Sequence, residues 1–227
     1  MTKHIVEREG PKEWRVPDNI PQIPKFSVVY ADPPWSLSQR GKFGAIQHYD
    51  LMSNDRIKQM PIEDLVADNA VLFLWCLSGP KGQNLAQEVA QAWGFEPKSC
   101  YTWLKSNHVG LGSPLRHATE ICLLCTRGKT EPKVRNQIDF GIYPVGPHSE
   151  KPREFVSTIE RMYDGPYLEL FCRKRPASNK QWMCWGNQTE NGADLYIPGY
   201  PVPKYSWETE EAEQSEKIEL TDKTEEE

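Results

Sequence analysis

The 227-residue sequence has no long apolar stretch and no signal-peptide pattern. Nothing in it therefore indicates secretion or a membrane-spanning helix. It also lacks a Walker phosphate-binding loop and a G-x-G-x-x-G motif, the glycine patterns that bind nucleotide phosphates and dinucleotides. These absences remove most of the support for nucleotide hydrolysis and for ordinary dinucleotide redox chemistry.

Cysteines are few, six in all, and only Cys122 and Cys125 have the C-x-x-C spacing. They lie in an apolar, strand-like run, and residues three apart on a strand face opposite sides. We therefore expect no metal ion between them, and no second pair of this spacing exists. The sequence predicts reduced thiols, no resident metal and an intracellular, cytoplasmic location.

Charge is unevenly distributed along the chain. The formal net charge is −5, but residues 208–227 contain ten acidic residues and two lysines, a net of −8, which leaves +3 for residues 1–207. A mildly basic body permits a polyanionic partner. We predict an extended, proline-rich lead-in at 1–25, a folded catalytic domain at 26–200 and an acidic disordered tail at 201–227.

Apolar runs alternate with amphipathic segments from residue 26 onward. The sequence predicts strands at 26–31, 71–75, 99–104, 119–125, 167–172 and 181–185, with a further short strand near Val134. It predicts helices that begin at Ser53 or Asn54, at Pro80 and near Ser149. This alternation is typical of a doubly wound α/β domain.

The first predicted strand ends at Asp32-Pro33-Pro34-Trp35. Proline fixes φ and has no backbone N–H, so the two prolines cannot continue a central strand. The turn therefore places a carboxylate and an indole at the carboxyl end of a strand, where ligands bind in open α/β sheets. Taken alone, the turn is equally consistent with ordinary core packing.

Two polar, glycine-containing segments are expected near this turn. Residues 36–45 form either a mobile lid or an ordinary surface loop. Residues 105–117 form a long irregular segment at the end of a strand, and such loops are usually functional or mobile. The candidate substrate-binding residues in the two segments are Arg40, Lys42, Phe43, Lys105, Asn107, His108 and Arg116.

Further motifs follow the first turn in a fixed order. They are His148-Ser149-x-Lys151-Pro152, Leu168-Glu169-Leu170-Phe171-x-Arg173 and Trp185-Gly186-Asn187. With the Asp32 turn they resemble the MT-A70 family of adenine-amino methyltransferases, over about residues 26–190. The resemblance implies a Rossmann-like methyltransferase fold of class α/β, with a mostly parallel sheet, helices on both faces and the permuted, beta-class motif order. It also implies S-adenosylmethionine as the cofactor and no metal.

The resemblance assigns roles to individual residues. The catalytic residues would be Asp32, Pro33, Pro34 and Trp35. The Asp32 carboxylate and the Pro33 carbonyl would each accept one hydrogen of an adenine amine. Trp35, or alternatively Tyr30 or Phe43, would stack on the base. The cofactor would be bound by Asp32, His148, Lys151, Arg173, Asn187 and Gln188.

Each cofactor assignment has a structural alternative. His148 and Lys151 could serve only the start of a helix, Arg173 could be a surface cation, and Asn187 could be a turn residue. The basic segment 174–180 differs from the mRNA-modifying members, so individual contacts are not transferred there.

The expected reaction is methylation of the exocyclic amine of adenine in DNA, because the sequence is little more than a catalytic domain, as in bacterial and phage members. The alternatives are the same reaction on RNA and a catalytically silent nucleic-acid-binding subunit, against which the intact Asp32 turn argues. The expected partner is nucleic acid, DNA rather than RNA, and not a membrane. Both a homodimer and a heterodimer stay open.

Overall fold

The computed structural model describes residues 16–17, 19–36, 52–110, 114–146 and 150–208. Within these ranges the strands are β1 (Phe26–Ala31), β2 (Val66–Cys76), β3 (Glu96–Lys105), β4 (Thr119–Arg127), β5 (Phe140–Tyr143), β6 (Tyr167–Leu170) and β7 (Trp182–Trp185). The helices are α1 (Asn54–Lys58), α2 (Pro80–Ala92) and α3 (Glu154–Met162), with a short 3-10 turn at Ile62–Asp64.

The strands form a single sheet in the order β5-β3-β4-β2-β1-β6-β7. β4 is antiparallel to both of its neighbours, and the other pairings in the sheet are parallel. The carboxyl ends of β1, β2, β3, β5, β6 and β7 therefore lie along one edge, together with the amino end of β4. The predicted mostly parallel α/β sheet is confirmed.

The sheet separates two hydrophobic layers. On one face α2 packs through residues such as Val89 against Leu72 and Leu74 of β2. On the other face α3 packs through Phe155 among the side chains that include Trp75 of β2. β2 supplies both layers because successive side chains of a strand point to opposite faces. The helices therefore cover both faces, as expected from the sequence.

The helix ends follow the signals in the sequence. The Ser53 side chain caps α1 by accepting a hydrogen bond from the Arg56 backbone N–H at 3.3 Å. Proline is tolerated in the first turn of α2, and Gly94 follows this helix in the left-handed region with φ +80. α3 begins at Glu154, and the cap predicted near Ser149 lies outside the described residues. None of the described helices has both the length and the apolar character needed to span a bilayer.

Several strand bounds differ from the predicted ones, and β2 begins at Val66 rather than at Val71. Two further differences have a clear physical cause. The short strand predicted near Val134 is instead β5, which pairs with β3 through Thr102 and Phe140. Its apolar side chains Phe140 and Ile142 are exposed, so it lacks the buried run that identifies a central strand. β6 ends at Leu170, two residues before the predicted end, because Phe171 adopts φ +61 and leaves the strand.

Two of the cysteine predictions agree with the structure, the free thiols and the opposite facing of the C-x-x-C pair. All six cysteines are free thiols. Cys122 belongs to the α3 layer and Cys125 to the α2 layer, so the C-x-x-C pair faces opposite sides of the sheet as predicted.

The segment after β7 is held against the sheet by an ion pair. The Arg175 guanidinium donates to both carboxylate oxygens of Asp194, at 2.6 and 2.7 Å. Farther along, Val202 and Tyr205 are buried in the α2 layer. Core packing therefore continues past residue 200, where the sequence placed the end of the catalytic domain. The other predicted domain boundaries stay predictions.

Candidate active site

Most of the described candidate site residues lie at one edge of the sheet. Asp32 follows β1, Lys105 ends β3, Arg173 follows β6, and Asn187 and Gln188 follow β7. Because these strands run in the same direction, the residues that follow them share the carboxyl edge. Topology alone therefore brings together residues that are more than 150 positions apart in the sequence.

Lys151 joins two carboxylates at this edge. Its Nζ lies 2.6 Å from Oδ2 of Asp32 and 3.3 Å from Oε2 of Glu120. The other oxygen of Glu120, Oε1, lies 2.6 Å from Nζ of Lys105. We call these four residues, Asp32, Lys151, Glu120 and Lys105, the charge chain. The lysine side chains are only 14% and 12% exposed, so water screens these interactions weakly.

The contacts within the charge chain keep its two inner residues, Lys151 and Glu120, ionised. Burial disfavours the charged form of Lys151, but the carboxylates of Asp32 and Glu120 outweigh it, and the pKa of Lys151 is raised. Burial likewise disfavours the charged form of Glu120, but the ammonium groups of Lys151 and Lys105 lower the pKa of Glu120 below its ordinary value. Asp32 therefore faces a permanent positive charge at neutral pH.

Glu120 is expected to stabilise the fold in a pH-dependent way. Its pKa is lower in the folded than in the unfolded chain, so the stabilisation is present above the unfolded pKa and is lost as pH falls through the folded pKa. Glu120→Gln should lower the free energy of unfolding at neutral pH by about 1–3 kcal/mol, since it weakens two charged hydrogen bonds. It should also flatten the loss of stability at acid pH. Urea denaturation at a series of pH values measures both effects.

The matched control for that variant is Glu131→Gln. Glu131 pairs with Arg135 at 2.5 Å, but both side chains are more than three-quarters exposed. Removing this pair should change the free energy of unfolding by less than about 0.5 kcal/mol. Equal effects of the two variants would contradict the stabilising role of Glu120.

The Asp32 turn is held rigid by backbone hydrogen bonds and by its tryptophan. The Pro33 carbonyl accepts from the Trp35 backbone N–H at 2.9 Å, and the Trp35 indole N–H donates to the Trp75 carbonyl at 3.1 Å. This second bond ties the turn to the end of β2. A carbonyl oxygen has two lone pairs, so Pro33 keeps one for a ligand.

Two of the three aromatic residues predicted for base stacking, Trp35 and Tyr30, are buried in this structure, and the third, Phe43, lies outside the described residues. Trp35 is only 8% exposed and packs in the α2 layer, which is unfavourable for stacking and typical of an anchor. Tyr30 is 5% exposed, and its hydroxyl accepts from the Trp75 indole at 2.9 Å. Tyr30 therefore lies in the core beneath the site, and the stacking role predicted for it is wrong.

Among the candidate substrate-binding residues, Asn107 and Arg116 make defined hydrogen bonds to the backbone. Asn107 Oδ1 accepts from the Val145 backbone N–H at 2.7 Å, and Arg116 Nε donates to the Gly110 carbonyl at 2.7 Å. These bonds hold parts of the connection between β3 and β4, in which His108 is exposed. The site predictions that lie outside the described residues are Arg40, Lys42, Phe43 and His148.

The two turns that carry the predicted cofactor residues are packed together. Gly186 precedes Asn187 and Gln188, and a Cβ on this glycine would lie 2.5 Å from the Cys172 carbonyl oxygen, so only glycine fits. Thr189 Oγ1 donates to the same carbonyl at 2.9 Å. The backbone of Asn187 and Gln188 is therefore held next to the half-buried start of the Arg173 segment, and both residues are exposed.

Sequence reasoning missed two acidic residues near Asp32. Glu120 completes the charge chain, and Glu169 of β6 pairs in register with Tyr30 of β1. Burial and then the negative charge of Asp32 raise the pKa of Glu169 to about 8, so its carboxyl group is largely protonated at neutral pH. The available signal was an acidic residue within an otherwise apolar strand, which is rare without a partner or a function.

Comparisons with known proteins identify the family. The MT-A70 family model matches residues 26–188. The chain is 29% identical to the human N(6)-adenosine-methyltransferase catalytic subunit METTL3 over 207 residues, which is 85% of this chain and 33% of that protein. It is 30% identical to an N(6)-adenosine-methyltransferase MT-A70-like protein of Arabidopsis thaliana over 182 residues, 77% of this chain and 25% of that protein.

A third relative is named for adenine rather than for adenosine. The chain is 29% identical to the human N(6)-adenine-specific methyltransferase METTL4 over 184 residues, 72% of this chain and 37% of that protein. The chain thus spans well under half the length of each of these relatives. The family model, in contrast, matches most of the chain and spans β1 to β7. The resemblance predicted from the sequence motifs is confirmed, and the chain belongs to the MT-A70 family.

Proposed function

We propose that this protein transfers a methyl group from S-adenosylmethionine to the exocyclic amine of adenine in a nucleic acid. The observation that carries the proposal is the Asp32 carboxylate, which a rigid proline turn holds at the carboxyl edge of the sheet, 2.6 Å from the Lys151 ammonium. Family membership supports it, since the relatives described above are named as methyltransferases of adenosine or adenine.

The adenine amine is a poor nucleophile because its lone pair is delocalised into the ring. S-adenosylmethionine, when bound, supplies an electrophilic methyl group on a sulfonium sulfur. Asp32 accepts a hydrogen bond from one amine hydrogen, and the free lone pair of the Pro33 carbonyl accepts one from the other, which directs the nitrogen lone pair out of the ring plane. As the nitrogen–methyl bond forms, the methyl–sulfur bond would break, and the surplus proton of the methylated amine would pass by way of the Asp32 carboxylate to water. The rate gain then comes from positioning and from the fixed charges around Asp32.

The residues present fit a cofactor with an amino-acid end and a ribose. The Lys151 ammonium is suited to a carboxylate, and it is already desolvated between Asp32 and Glu120. Asn187 and Gln188 offer exposed amides, which donate to and accept from hydroxyl groups and ring nitrogens. We propose Lys151 for the carboxylate end and Arg173, Asn187 and Gln188 for the ribose and adenine end.

For the substrate we propose DNA, with RNA as the second candidate. The +3 charge of residues 1–207 supports either polyanion. The names of the METTL3 and Arabidopsis relatives refer to adenosine and that of METTL4 to adenine, so both candidates have support. In either polymer the target base must be single-stranded or flipped out of its helix to reach Asp32.

A methyl-labelling experiment tests the proposed function. The protein is incubated with methyl-labelled S-adenosylmethionine and with DNA or RNA oligonucleotides of matched sequence, and label in each polymer is counted. We expect label in DNA, and none in a control DNA whose adenines are replaced by purine without the 6-amino group. Label in RNA alone would overturn the DNA assignment, and label in neither polymer would overturn the proposed activity.

A further inference from the structure

A second cluster of reactive side chains lies on the α3 face of the sheet, outside the charge chain. Glu169 of β6 and Cys184 of β7 are direct partners in the parallel pairing, so their side chains point to the same face. Cys172 follows β6, where the left-handed Phe171 turns the chain, and its backbone N–H donates to the Trp185 carbonyl at 3.0 Å. One carboxylate oxygen and the two sulfur atoms all lie within 4.8 Å of one another.

The distances between these three atoms are close to the distances between the ligand atoms of a metal site. Zn–S bonds are about 2.3 Å long, so two sulfurs that share a tetrahedral zinc ion lie about 3.8 Å apart. The three ligand atoms therefore need to approach one another by about 1 Å or less, which side-chain rotation can supply. Two thiolates and a carboxylate are a donor set that suits Zn²⁺.

The surroundings of the cluster contain features that favour a bound cation and one that opposes it. Glu169 lies within electrostatic range of Asp32, and among the described residues it has no ion-pair partner, whereas Asp32 has Lys151. Cys172 and Cys184 are 1% and 0% exposed, so water competes weakly for a bound ion. The Arg175 guanidinium interacts with both thiols, so it would stabilise two thiolates but would also repel a bound cation.

We propose that Glu169, Cys172 and Cys184 form a binding site for a thiophilic divalent cation, best matched by Zn²⁺, with a fourth position open for water. The proposal departs from the expectation of no metal, which rested on cysteine spacing along the chain. Cys172 and Cys184 are twelve residues apart, and the pairing of β6 with β7 brings them together. It is independent of the methyl-transfer activity proposed above.

Cobalt titration tests the site on the full chain, reduced and freed of metal with a chelator. We expect one Co²⁺ per chain to produce a thiolate-to-cobalt charge-transfer band, and Zn²⁺ to abolish it. Cys172→Ser and Cys184→Ser should each weaken Co²⁺ binding by about tenfold or more, because each removes a thiolate ligand. Cys100→Ser, at an exposed position on β3, is the matched control and should leave the band unchanged.

A measurement on the unchanged protein covers the case in which a serine variant does not fold. Because both thiols are buried, alkylation is carried out in urea below the unfolding transition, where local opening exposes them, and mass spectrometry follows the modification with and without Zn²⁺. Zn²⁺ should slow the modification of Cys172 and Cys184 and leave the exposed Cys100 unaffected. The proposal is overturned if Co²⁺ produces no charge-transfer band, if the band survives in both serine variants, or if Zn²⁺ protects neither cysteine.

Discussion

Asp32→Ala is expected to reduce the rate of methyl transfer by about a hundredfold to a thousandfold, because it removes a preorganised acceptor from the reacting amine. The variant should remain folded, since Asp32 is about one-third exposed and lies on a turn that the bonds of Pro33 and Trp35 hold independently. Single-turnover methylation with the labelled oligonucleotides measures the loss, and circular dichroism checks the fold. Asp55→Ala, which removes an exposed carboxylate from the first turn of α1, is the control and should keep full activity.

A conservative variant separates the hydrogen-bond acceptance of the Asp32 side chain from its negative charge. Asp32→Asn keeps one carbonyl acceptor and removes the negative charge that faces Lys151. If hydrogen-bond acceptance is what matters, this variant should retain far more activity than Asp32→Ala. Wild-type rates in Asp32→Ala itself would refute the assigned role, whatever the result for asparagine.

Lys151→Met is the second variant for which we expect a large effect. It keeps most of the apolar stem of the side chain but removes the ammonium that would pair with the cofactor's carboxylate. A charged hydrogen bond contributes about 1.5–3 kcal/mol, so the affinity for S-adenosylmethionine should fall by about tenfold to more than a hundredfold. Isothermal titration calorimetry on the folded variant measures this change directly.

The same substitution should destabilise the protein in the absence of any ligand. Without Lys151 the carboxylates of Asp32 and Glu120 face each other with less compensation. We expect a loss of about 1–3 kcal/mol, less than for a fully buried pair because Asp32 is partly exposed. Lys133→Met removes the exposed ion pair with Asp164 and is the matched control for charge. Unchanged cofactor affinity in Lys151→Met would show that Lys151 serves only the local structure.

The central strands could be predicted from the sequence because their side chains are buried on both faces. The run from Val71 to Trp75 is continuous and apolar, and it lies in the middle of the sheet. The direction of β4 was harder to anticipate. No helix lies among the described residues that connect β3 to β4, but none connects β6 to β7 either, and those two strands are parallel. The absence of a helix alone therefore does not predict the direction of a strand.

The candidate site could be predicted only in part, because some of its contacts depend on which strands are neighbours in the sheet. Asp32 and Lys151 were found because each belongs to a recognisable motif, and the structure places them in contact. Glu120 and the cluster around Glu169 belong to strands whose neighbours the sequence does not reveal. Their partners depend on strand order and register, and those follow from packing of the whole sheet rather than from local sequence.

Because β4 runs opposite to its neighbours, its register decides which of its side chains faces Lys151. Parallel strands supply this edge from the residues that follow them, but β4 supplies it from its first residues, Thr119 and Glu120. The connection from Lys105 to Thr119 therefore sets which side chain of β4 faces Lys151. An insertion or deletion of one residue there, if it slides β4 by one position, replaces the carboxylate with the side chain of Thr119 or Ile121. Because β4 is packed on both faces, its register is strongly specified, and that register sets the electrostatic balance around Asp32 without any further charged residue at the site.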